Sequence, residues 1–202
     1  HSIRYVAGVL PNRVASATAV GGPNLGSPVA DVIKGASNIP GLGPLAAPII
    51  SGAINGMFAL IDMMSGQEYR QDSLAGMDSL TTAGSADFTQ RFPGGMPAAN
   101  NSCGEGAYSA NGVRYYSWTG TKTATNLLDP SDAFLVTLGW TFGEANDGLV
   151  SACSSRLGKH LGDYRQNHLD EVNQMVGLRD WFSADPVTLY RQHANRLQKA
   201  GL

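Results

Sequence analysis

Asn146-Asp147-Gly148-Leu149-Val150 and Asn167-His168-Leu169-Asp170-Glu171 are the two stretches of sequence that decide the fold. An aspartate in a glycine-containing turn, followed later by a histidine among polar residues, matches the last two members of a hydrolase triad in the order Ser, Asp, His. In such a triad the histidine accepts a proton from the nucleophile, and the buried carboxylate orients the imidazole ring. His168 is therefore a candidate general base, and Asp147 is its candidate carboxylate partner.

The serine that should precede this pair is missing from the sequence. It would occupy a strained Gly-x-Ser-x-Gly turn, yet no serine of the chain has a glycine both two places before and two places after it. Ser2 fails because Arg4 stands where the second glycine is needed. By spacing alone the Asp147/His168 pair is weak evidence, since many chains of this size contain such a pair. The sequence indicates the proton-handling half of a catalytic site without its nucleophile.

Composition places the chain among globular proteins. It has 202 residues, 43% of them hydrophobic, and its 25 glycines and 10 prolines predict many turns rather than disorder. No repeat or flexible linker is visible, so we expect a single domain. Only 15% of the residues are charged, the formal net charge is −2 and no basic run occurs, which argues against nucleic-acid binding.

No signal-peptide pattern opens the chain. It begins inside an expected helix, which suggests further sequence upstream.

The most apolar window, 45–64, has the length of a membrane span. Pro48, Ser51, Asn55 and Asp62 argue against that interpretation, and we expect no transmembrane segment. The apolar residues recur at helical spacing, which favours an amphipathic helix. Such a helix could be an ordinary core helix or could lie at an interface, and the sequence leaves both open.

Other elements follow from local signals. We expect a buried strand over 14–20 and a helix over 82–91, and Asn111-Gly112 predicts a hairpin. The clearest element is a last helix capped by Asp185 and starting at Pro186. Its predicted buried stripe consists of Val187, Tyr190, Ala194 and Leu197. His193 lies beside this stripe, where a structural histidine is the better interpretation.

A set of oxygen donors overlaps the histidine stretch. Asp170 and Gln174 are four residues apart and can face one way within a turn, and Asp129 could join them. Hard oxygen donors of this kind suit Ca²⁺ when backbone carbonyls complete the shell. The alternative is that Asp129 is a turn residue before Pro130 and that Asp170 caps a helix.

The two cysteines, Cys103 and Cys153, allow one intrachain disulfide. Two buried free thiols are an equal alternative from the count alone. No Cys-x-x-Cys pair is present, which argues against zinc and redox sites.

The chain resembles the secreted Pseudomonas/Burkholderia-type triacylglycerol lipases along its whole length, least from about Gly41 to Gly66. The segments that carry the resemblance are RYVAGVLPNRVASATAVGGPNLGS (4–27), CGEGAYSANGVRYYSW (103–118), LLDPSDAF (127–134), ANDGLVSACSS (145–155), NHLDEVNQMVGL (167–178) and DPVTLYRQHANRL (185–197). This resemblance implies an α/β-hydrolase fold over residues 1–202, incomplete at its N-terminus. It also implies secretion through the periplasm and folding with a dedicated membrane-bound foldase.

The resemblance also implies roles for individual residues. Asp147 is similar to the family's triad acid and His168 to its triad base. A lid over the active site is implied for 41–66, and a structural Ca²⁺ close to the histidine loop would hold His168 in place. The ligands implied for this ion are Asp129, Asp170, Gln174 and the backbone carbonyl of Leu178, and the disulfide implied is Cys103–Cys153.

Two departures from the family pattern stand out. The nucleophile elbow and the oxyanion-hole donors should precede His1, so these 202 residues are expected to be inactive alone. Asn24-Leu25 also stands where relatives usually carry a histidine and a basic residue. The implied activity is hydrolysis of long-chain triacylglycerols. Alternatives are an esterase or phospholipase on the same scaffold, or a secreted calcium-binding protein that has lost catalysis.

Overall fold

The computed structural model describes residues 1–34, 78–175 and 177–202. Its helices are α1 (Ser2–Val9), α2 (Pro28–Ile33), α3 (Thr82–Arg91), α4 (Asp132–Gly139) and α5 (Pro186–Lys199). Its strands are β1 (Ser16–Val20), β2 (Ser109–Ala110), β3 (Val113–Gly120) and β4 (Lys159–Tyr164), and 3₁₀ helices cover Pro11–Arg13, Ala99–Asn101 and Asp170–Val172. The amphipathic helix expected over 45–64 and the lid expected over 41–66 lie outside the described residues. Within the described ranges no helix is long and apolar enough to cross a membrane.

Strand β3 is the centre of the sheet. β1 pairs parallel with one edge of β3, with Ser16 opposite Arg114 and Val20 opposite Trp118. β4 pairs parallel with the other edge, and the register shifts between Ser117 and Thr119. Parallel strands joined through helices confirm the α/β class expected from the sequence.

The predicted hairpin is present, and its turn residues explain why. β2 pairs antiparallel with the start of β3, and Ala110 lies opposite Val113. The two residues between them, Asn111 and Gly112, have φ values of +52° and +82°. Two positive φ values are what a type I′ turn needs, and asparagine and glycine tolerate them best.

Arg4 joins α1 to the rest of the molecule from a buried position. Its guanidinium donates to the carbonyls of Asn24 (3.2 Å) and Phe92 (2.7 Å) and to Oγ1 of Thr89 (3.1 Å). Burial lowers the pKa of Arg4 to about 10. One side chain thus connects α1, the loop after β1 and α3.

Asn24 contributes to the same packing, although it departs from the family pattern. Its side-chain amide donates to the carbonyl of Ser155 at 3.2 Å, and the residue is almost completely buried. Asn24 therefore links the loop after β1 to the segment before β4.

The last helix forms as predicted, but its predicted buried stripe is wrong. Asp185 caps α5 by accepting the backbone N–H of Thr188 at 2.9 Å. Val187, Tyr190 and Ala194 are exposed and Leu197 is half-buried, whereas the buried residues of α5 are Pro186, Leu189 and His193.

A polar contact explains the different orientation of α5. Nε2 of His193 is 2.8 Å from Oγ1 of Thr18 on β1. The ring of His193 also packs edge-on against Tyr116 and Trp118 of β3. A prediction made from apolar residues alone omits this histidine. Its contacts pack α5 against the sheet, in agreement with the structural role that the sequence indicated.

A disulfide joins Cys103 to Cys153 across a sequence separation of 50 residues. It ties the segment after the Ala99–Asn101 3₁₀ helix to the loop that follows Val150. The disulfide implied by the family resemblance is therefore present.

We predict that replacing both cysteines, as Cys103→Ala/Cys153→Ala, lowers the free energy of unfolding of the complete protein by about 4 kcal/mol. The reason is the unfolded-state entropy that a loop of this length removes. Chemical denaturation measures the change. Wild-type protein treated with a thiol reductant should lose the same stability and the double variant should lose none, so equal stability of variant and oxidised wild type would contradict the prediction.

Candidate active site

The candidate active site lies at the carboxyl ends of the parallel strands. Gly21 follows β1 directly, and Gly120 is the last residue of β3. Beyond β3 and β4 the pairing continues, with the N–H of Thr121 donating to the carbonyl of Tyr164 at 2.9 Å. In open α/β sheets this edge is where functional groups usually collect, because the loops that follow the strands meet there.

Asp147 is completely buried in the turn that the sequence singled out. Its Oδ1 accepts the backbone N–H groups of Leu149 (2.9 Å) and Val150 (2.7 Å). Gly148 has a φ of +102°, and a Cβ there would lie 2.7 Å from the Cβ of Leu135. The turn therefore needs glycine at this position and fixes the direction of the Asp147 carboxylate.

His168 is held by a second local turn. The side-chain oxygen of the buried Asn167 accepts the backbone N–H groups of Leu169 (2.9 Å) and Asp170 (2.8 Å). The backbone N–H of His168 donates to the carbonyl of Asp147 at 2.9 Å. About 28% of the His168 side chain is exposed.

The structure brings the two predicted residues together. Nδ1 of His168 lies 2.7 Å from Oδ2 of Asp147. Because the carboxylate accepts, Nδ1 carries the hydrogen, and Nε2 is the nitrogen left for exchanging a proton with another group. Burial would lower the pKa of His168, but the Asp147 carboxylate outweighs it and, with Glu171 nearby, raises the pKa to about 9.

Glu171 is a third member of this site that the sequence analysis missed. One carboxyl or imidazole atom from each of Asp147, His168 and Glu171 lies within 4.8 Å of the others. The backbone N–H of Gly120 donates to Oε1 of Glu171. Burial, and then the neighbouring Asp147 carboxylate, raise the pKa of Glu171 well above its ordinary value.

A glycine after β1 makes room for this third carboxyl group. Gly21 has a φ of +52°, and a Cβ there would lie only 1.9 Å from Oε2 of Glu171. Nothing local in the sequence marks Glu171, since its partners come from three distant segments. The Gly21-Gly22 pair after a strand is the one signal that could have pointed to a close approach.

The predicted metal ligands Asp129 and Asp170 are both buried, and Asn167 connects them. The backbone N–H of Asn167 donates to Oδ2 of Asp170 at 3.2 Å, and its amide lies 3.5 Å from Oδ2 of Asp129. The same amide donates to Oδ1 of Asp132 at 2.9 Å. Three carboxylates therefore surround one asparagine beside the histidine loop.

A cation suits this cluster. Oδ1 of Asp170 is buried and has no hydrogen-bond partner among the described residues. Burial first, and then the nearby carboxylates of Asp129 and Asp132, raise the pKa of Asp170 to about 6. A buried carboxylate oxygen without a donor is costly unless a cation binds it.

Gln174 and Leu178 lie farther along the same loop and are half-buried. Gln174 is held by its backbone N–H, which donates to the carbonyl of Leu169 at 3.0 Å. In the described part of the chain, neither residue makes a hydrogen bond with Asp129 or Asp170. Both remain predicted ligands.

A second Ser, His and Asp set resembles a triad but has a structural role. Nδ1 of His160 is 3.2 Å from Oγ of Ser117, and its Nε2 is 2.9 Å from Oδ1 of Asp163. Ser117 is completely buried, and its hydroxyl oxygen also accepts the backbone N–H of Leu157 at 3.0 Å. No substrate could reach this hydroxyl, so the set fastens β3 to β4.

We predict that the double substitution Asp147→Asn/Glu171→Gln lowers the pKa of His168 from about 9 to 6.5 or below. Without the two carboxyl groups that raise the pKa of His168, burial alone remains, and it lowers this pKa because it favours the neutral ring. NMR titration of the His168 ring protons in the complete protein measures this. The matched control Asp163→Asn removes the carboxylate of His160 and should leave the His168 titration unchanged, whereas a His168 pKa near 9 in the double variant would contradict the assignment.

A scan against protein-family models finds no match. Among curated proteins, a triacylglycerol lipase of Vibrio cholerae is 53% identical over 203 residues, which cover 100% of this chain and 64% of the relative. A triacylglycerol lipase of Pseudomonas fragi is 38% identical, with 98% of this chain and 70% of the relative covered. One of Pseudarthrobacter phenanthrenivorans is 35% identical, with 98% and 71% covered.

These relatives are longer than the chain, which spans about two thirds of their length. Among solved structures, a Bacillus licheniformis lipase, BlEst2 in mature form, matches with a TM-score of 0.43 at 20% identity over 86% of this chain and 58% of that one. The sequence identities, which extend over nearly every residue of the chain, are sufficient to assign it. The chain belongs to the family of bacterial triacylglycerol lipases.

Proposed function

We propose that this chain is part of a lipase that hydrolyses long-chain triacylglycerols, with His168 as general base and Asp147 as its carboxylate partner. The observation that carries the proposal is the 2.7 Å contact between Nδ1 of His168 and Oδ2 of Asp147. The triacylglycerol lipases named above, which are similar over nearly the whole chain, support the substrate class.

The nucleophile of this enzyme is proposed to be a serine that precedes His1 in the complete protein. No serine of the chain has a glycine both two places before and two places after it, as a nucleophile elbow requires. We therefore propose that the 202 residues alone are inactive and form the larger part of a single α/β-hydrolase domain. The donors that stabilise the oxyanion would also lie upstream, each contributing about 3 kcal/mol to transition-state binding.

Proton transfer follows from the position of the ring. In the neutral form of His168, which a pKa of about 9 leaves in the minority at neutral pH, Nε2 accepts the hydroxyl proton of the serine as the serine oxygen bonds to the ester carbonyl carbon. The Asp147 carboxylate stabilises the imidazolium that forms, because Nδ1 already donates to it. Nε2 then returns the proton to the departing glyceride oxygen, and water releases the fatty acid by the same route.

We propose a structural Ca²⁺ held by Asp129 and Asp170, with Gln174 and the carbonyl of Leu178 completing the protein ligands. The buried, unpartnered Oδ1 of Asp170 supports a cation at this place. The ion would fix the loop that carries His168 rather than take part in bond making. Oxygen ligands of this type are those that Ca²⁺ prefers.

We also propose that the enzyme is secreted through the periplasm and folds with a dedicated foldase. The disulfide between Cys103 and Cys153 supports an oxidising compartment, since such bonds rarely persist in the cytosol. The foldase is implied by the resemblance to the Pseudomonas/Burkholderia-type lipases.

His168→Ala in the complete enzyme should lower kcat/KM for ester hydrolysis by roughly four orders of magnitude or more, since the general base is removed. Hydrolysis of a soluble ester and of emulsified triolein both measure the change. The matched control is His160→Ala, which removes an imidazole with a carboxylate partner of its own and should retain activity if folded. Activity of folded His168→Ala close to wild type would exclude His168 as the base.

The rates on two substrates separate a lipase from an esterase. A lipase should hydrolyse emulsified long-chain esters faster than short soluble esters at equal enzyme concentration. The opposite preference in the complete enzyme would favour an esterase.

Removing Ca²⁺ with a chelator should lower the melting temperature of the complete protein. At a free concentration one hundred times the Kd, a bound ion contributes about 2.7 kcal/mol to folding. Asp170→Asn should abolish the response to the chelator, whereas Asp163→Asn, an exposed carboxylate elsewhere, should keep it. An unchanged melting curve of wild type in excess chelator would contradict the site.

A further inference from the structure

Two neighbouring surface turns present large apolar side chains at their tips. In the first turn, Oδ1 of Asn126 accepts the backbone N–H of Leu128 at 3.0 Å, and the carbonyl of Asn126 accepts the N–H of Asp129 at 2.9 Å. Leu127 at the tip is fully exposed, and Leu128 is 77% exposed. The backbone of this turn is thus fixed while both leucines face solvent.

The second turn is built in the same way. Oδ1 of Asp180 accepts the backbone N–H of Phe182 at 2.8 Å, and the carbonyl of Asp180 accepts the N–H of Ser183 at 3.0 Å. Trp181 is 89% exposed and Phe182 is 88% exposed. Trp181 and Phe182 are therefore exposed to solvent on a turn whose backbone is fixed by Asp180.

One hydrogen bond joins the two turns. The side-chain amide of Asn126 donates to the carbonyl of Arg179 at 3.1 Å. The four exposed residues, Leu127, Leu128, Trp181 and Phe182, therefore belong to one region of the surface, which we call the apolar turn pair. Turn tips usually carry small polar residues, so two adjacent apolar tips indicate a contact surface.

Cations lie directly behind the apolar turn pair. Oδ2 of Asp180 accepts from Lys122 and from Arg165, whose Nε and Nη2 lie at 3.2 and 2.9 Å. These hydrogen bonds, that of Arg165 first, hold the pKa of Asp180 well below its usual range. Two cations share one carboxylate, and more than half of the Arg165 side chain is exposed. Lys122 and Arg165 against the single carboxylate of Asp180 leave one positive charge in this group, on the side of the second turn.

We propose that the apolar turn pair inserts into a lipid–water interface that carries free fatty-acid carboxylates. Leucine and aromatic side chains backed by lysine and arginine are the composition that binds such interfaces, with the apolar groups among the acyl chains and the cations at the anionic headgroups. This inference rests on the proposed function, because ester hydrolysis releases the carboxylates that make the interface negative.

The turn pair is also placed to orient the proposed active site. The segment 167–178, with His168 near its start, leads directly into the turn at Asp180. The first turn ends at Asp129, whose carboxylate lies against Asn167, the neighbour of His168. Insertion of the two tips would therefore hold the side of the molecule that carries the catalytic base close to the lipid.

The experiment measures binding separately from catalysis. The complete protein carrying His168→Ala is sedimented with vesicles of ether-linked phosphatidylcholine, with or without oleate. We expect stronger binding with oleate. Adding Trp181→Ser/Phe182→Ser should weaken binding to oleate vesicles at least about tenfold, or about 1.4 kcal/mol, and Leu127→Ser/Leu128→Ser should act in the same direction.

Matched controls test whether the effect belongs to the turn pair. Trp140→Ser removes another exposed tryptophan, outside the two turns, and should bind as the parent does. Trp181→Phe/Phe182→Leu keeps apolar tips and should restore most of the binding. In enzyme with His168 intact, Trp181→Ser/Phe182→Ser should keep its rate on a short soluble ester and lose rate on emulsified triolein.

Three results would overturn the proposal. One is unchanged vesicle binding in both serine double variants. The second is equal binding with and without oleate, which would remove the role of the cations. The third is that Trp181→Ser/Phe182→Ser, with His168 intact, has both a lower melting temperature and a lower rate on the soluble ester. This would show that another part of the complete protein covers the turn pair. Absence of ester hydrolysis by the wild-type protein would instead refute the proposed function. The vesicle measurement would still test lipid binding by the turn pair.

Discussion

The hydrogen bond between Nδ1 of His168 and Oδ2 of Asp147 is the interaction on which the arrangement of the site depends. The Asp147 carboxylate is fixed by backbone N–H groups of its own turn, and His168 is fixed by Asn167 on the other side. Two rigid turns therefore meet at one charge-assisted bond, which is stronger than a neutral one and leaves Nε2 as the reactive nitrogen.

Buried charge near this bond has to be compensated. Glu171 sits beside Asp147 and accepts from the backbone of Gly120, and its raised pKa reflects how costly a second carboxylate would be there. Asp129 and Asp170 present the same problem on the other side of Asn167, where the oxygen of Asp170 without a partner is suited to a cation. The site thus combines one carboxylate that orients the histidine, one buried carboxyl group whose pKa is raised, and a cluster that fits a metal ion.

Local chemistry explains which features could be predicted. The helix Thr82–Arg91 and the hairpin at Asn111-Gly112 have signals within a few residues of themselves, such as a cap or a turn that needs positive φ. The Asp147 turn and the His168 stretch were visible for the same reason. By contrast, the stripe predicted for α5 was wrong, because His193 contacts Thr18 and packs edge-on against two rings of β3. A pattern of apolar residues does not count a histidine.

The sequence by itself determined the α/β class, the turns that hold Asp147 and His168 and, through its resemblance to known lipases, the pairing of Cys103 with Cys153. Only the tertiary structure decided that Glu171 joins the site and that Asn167 connects Asp129 to Asp170. It alone joined the turns that carry Leu127 and Trp181, through the hydrogen bond between Asn126 and Arg179. The physical reason is that turns, caps and periodic patterns act between residues close in sequence, whereas burial and charge compensation depend on segments that meet only in the folded chain.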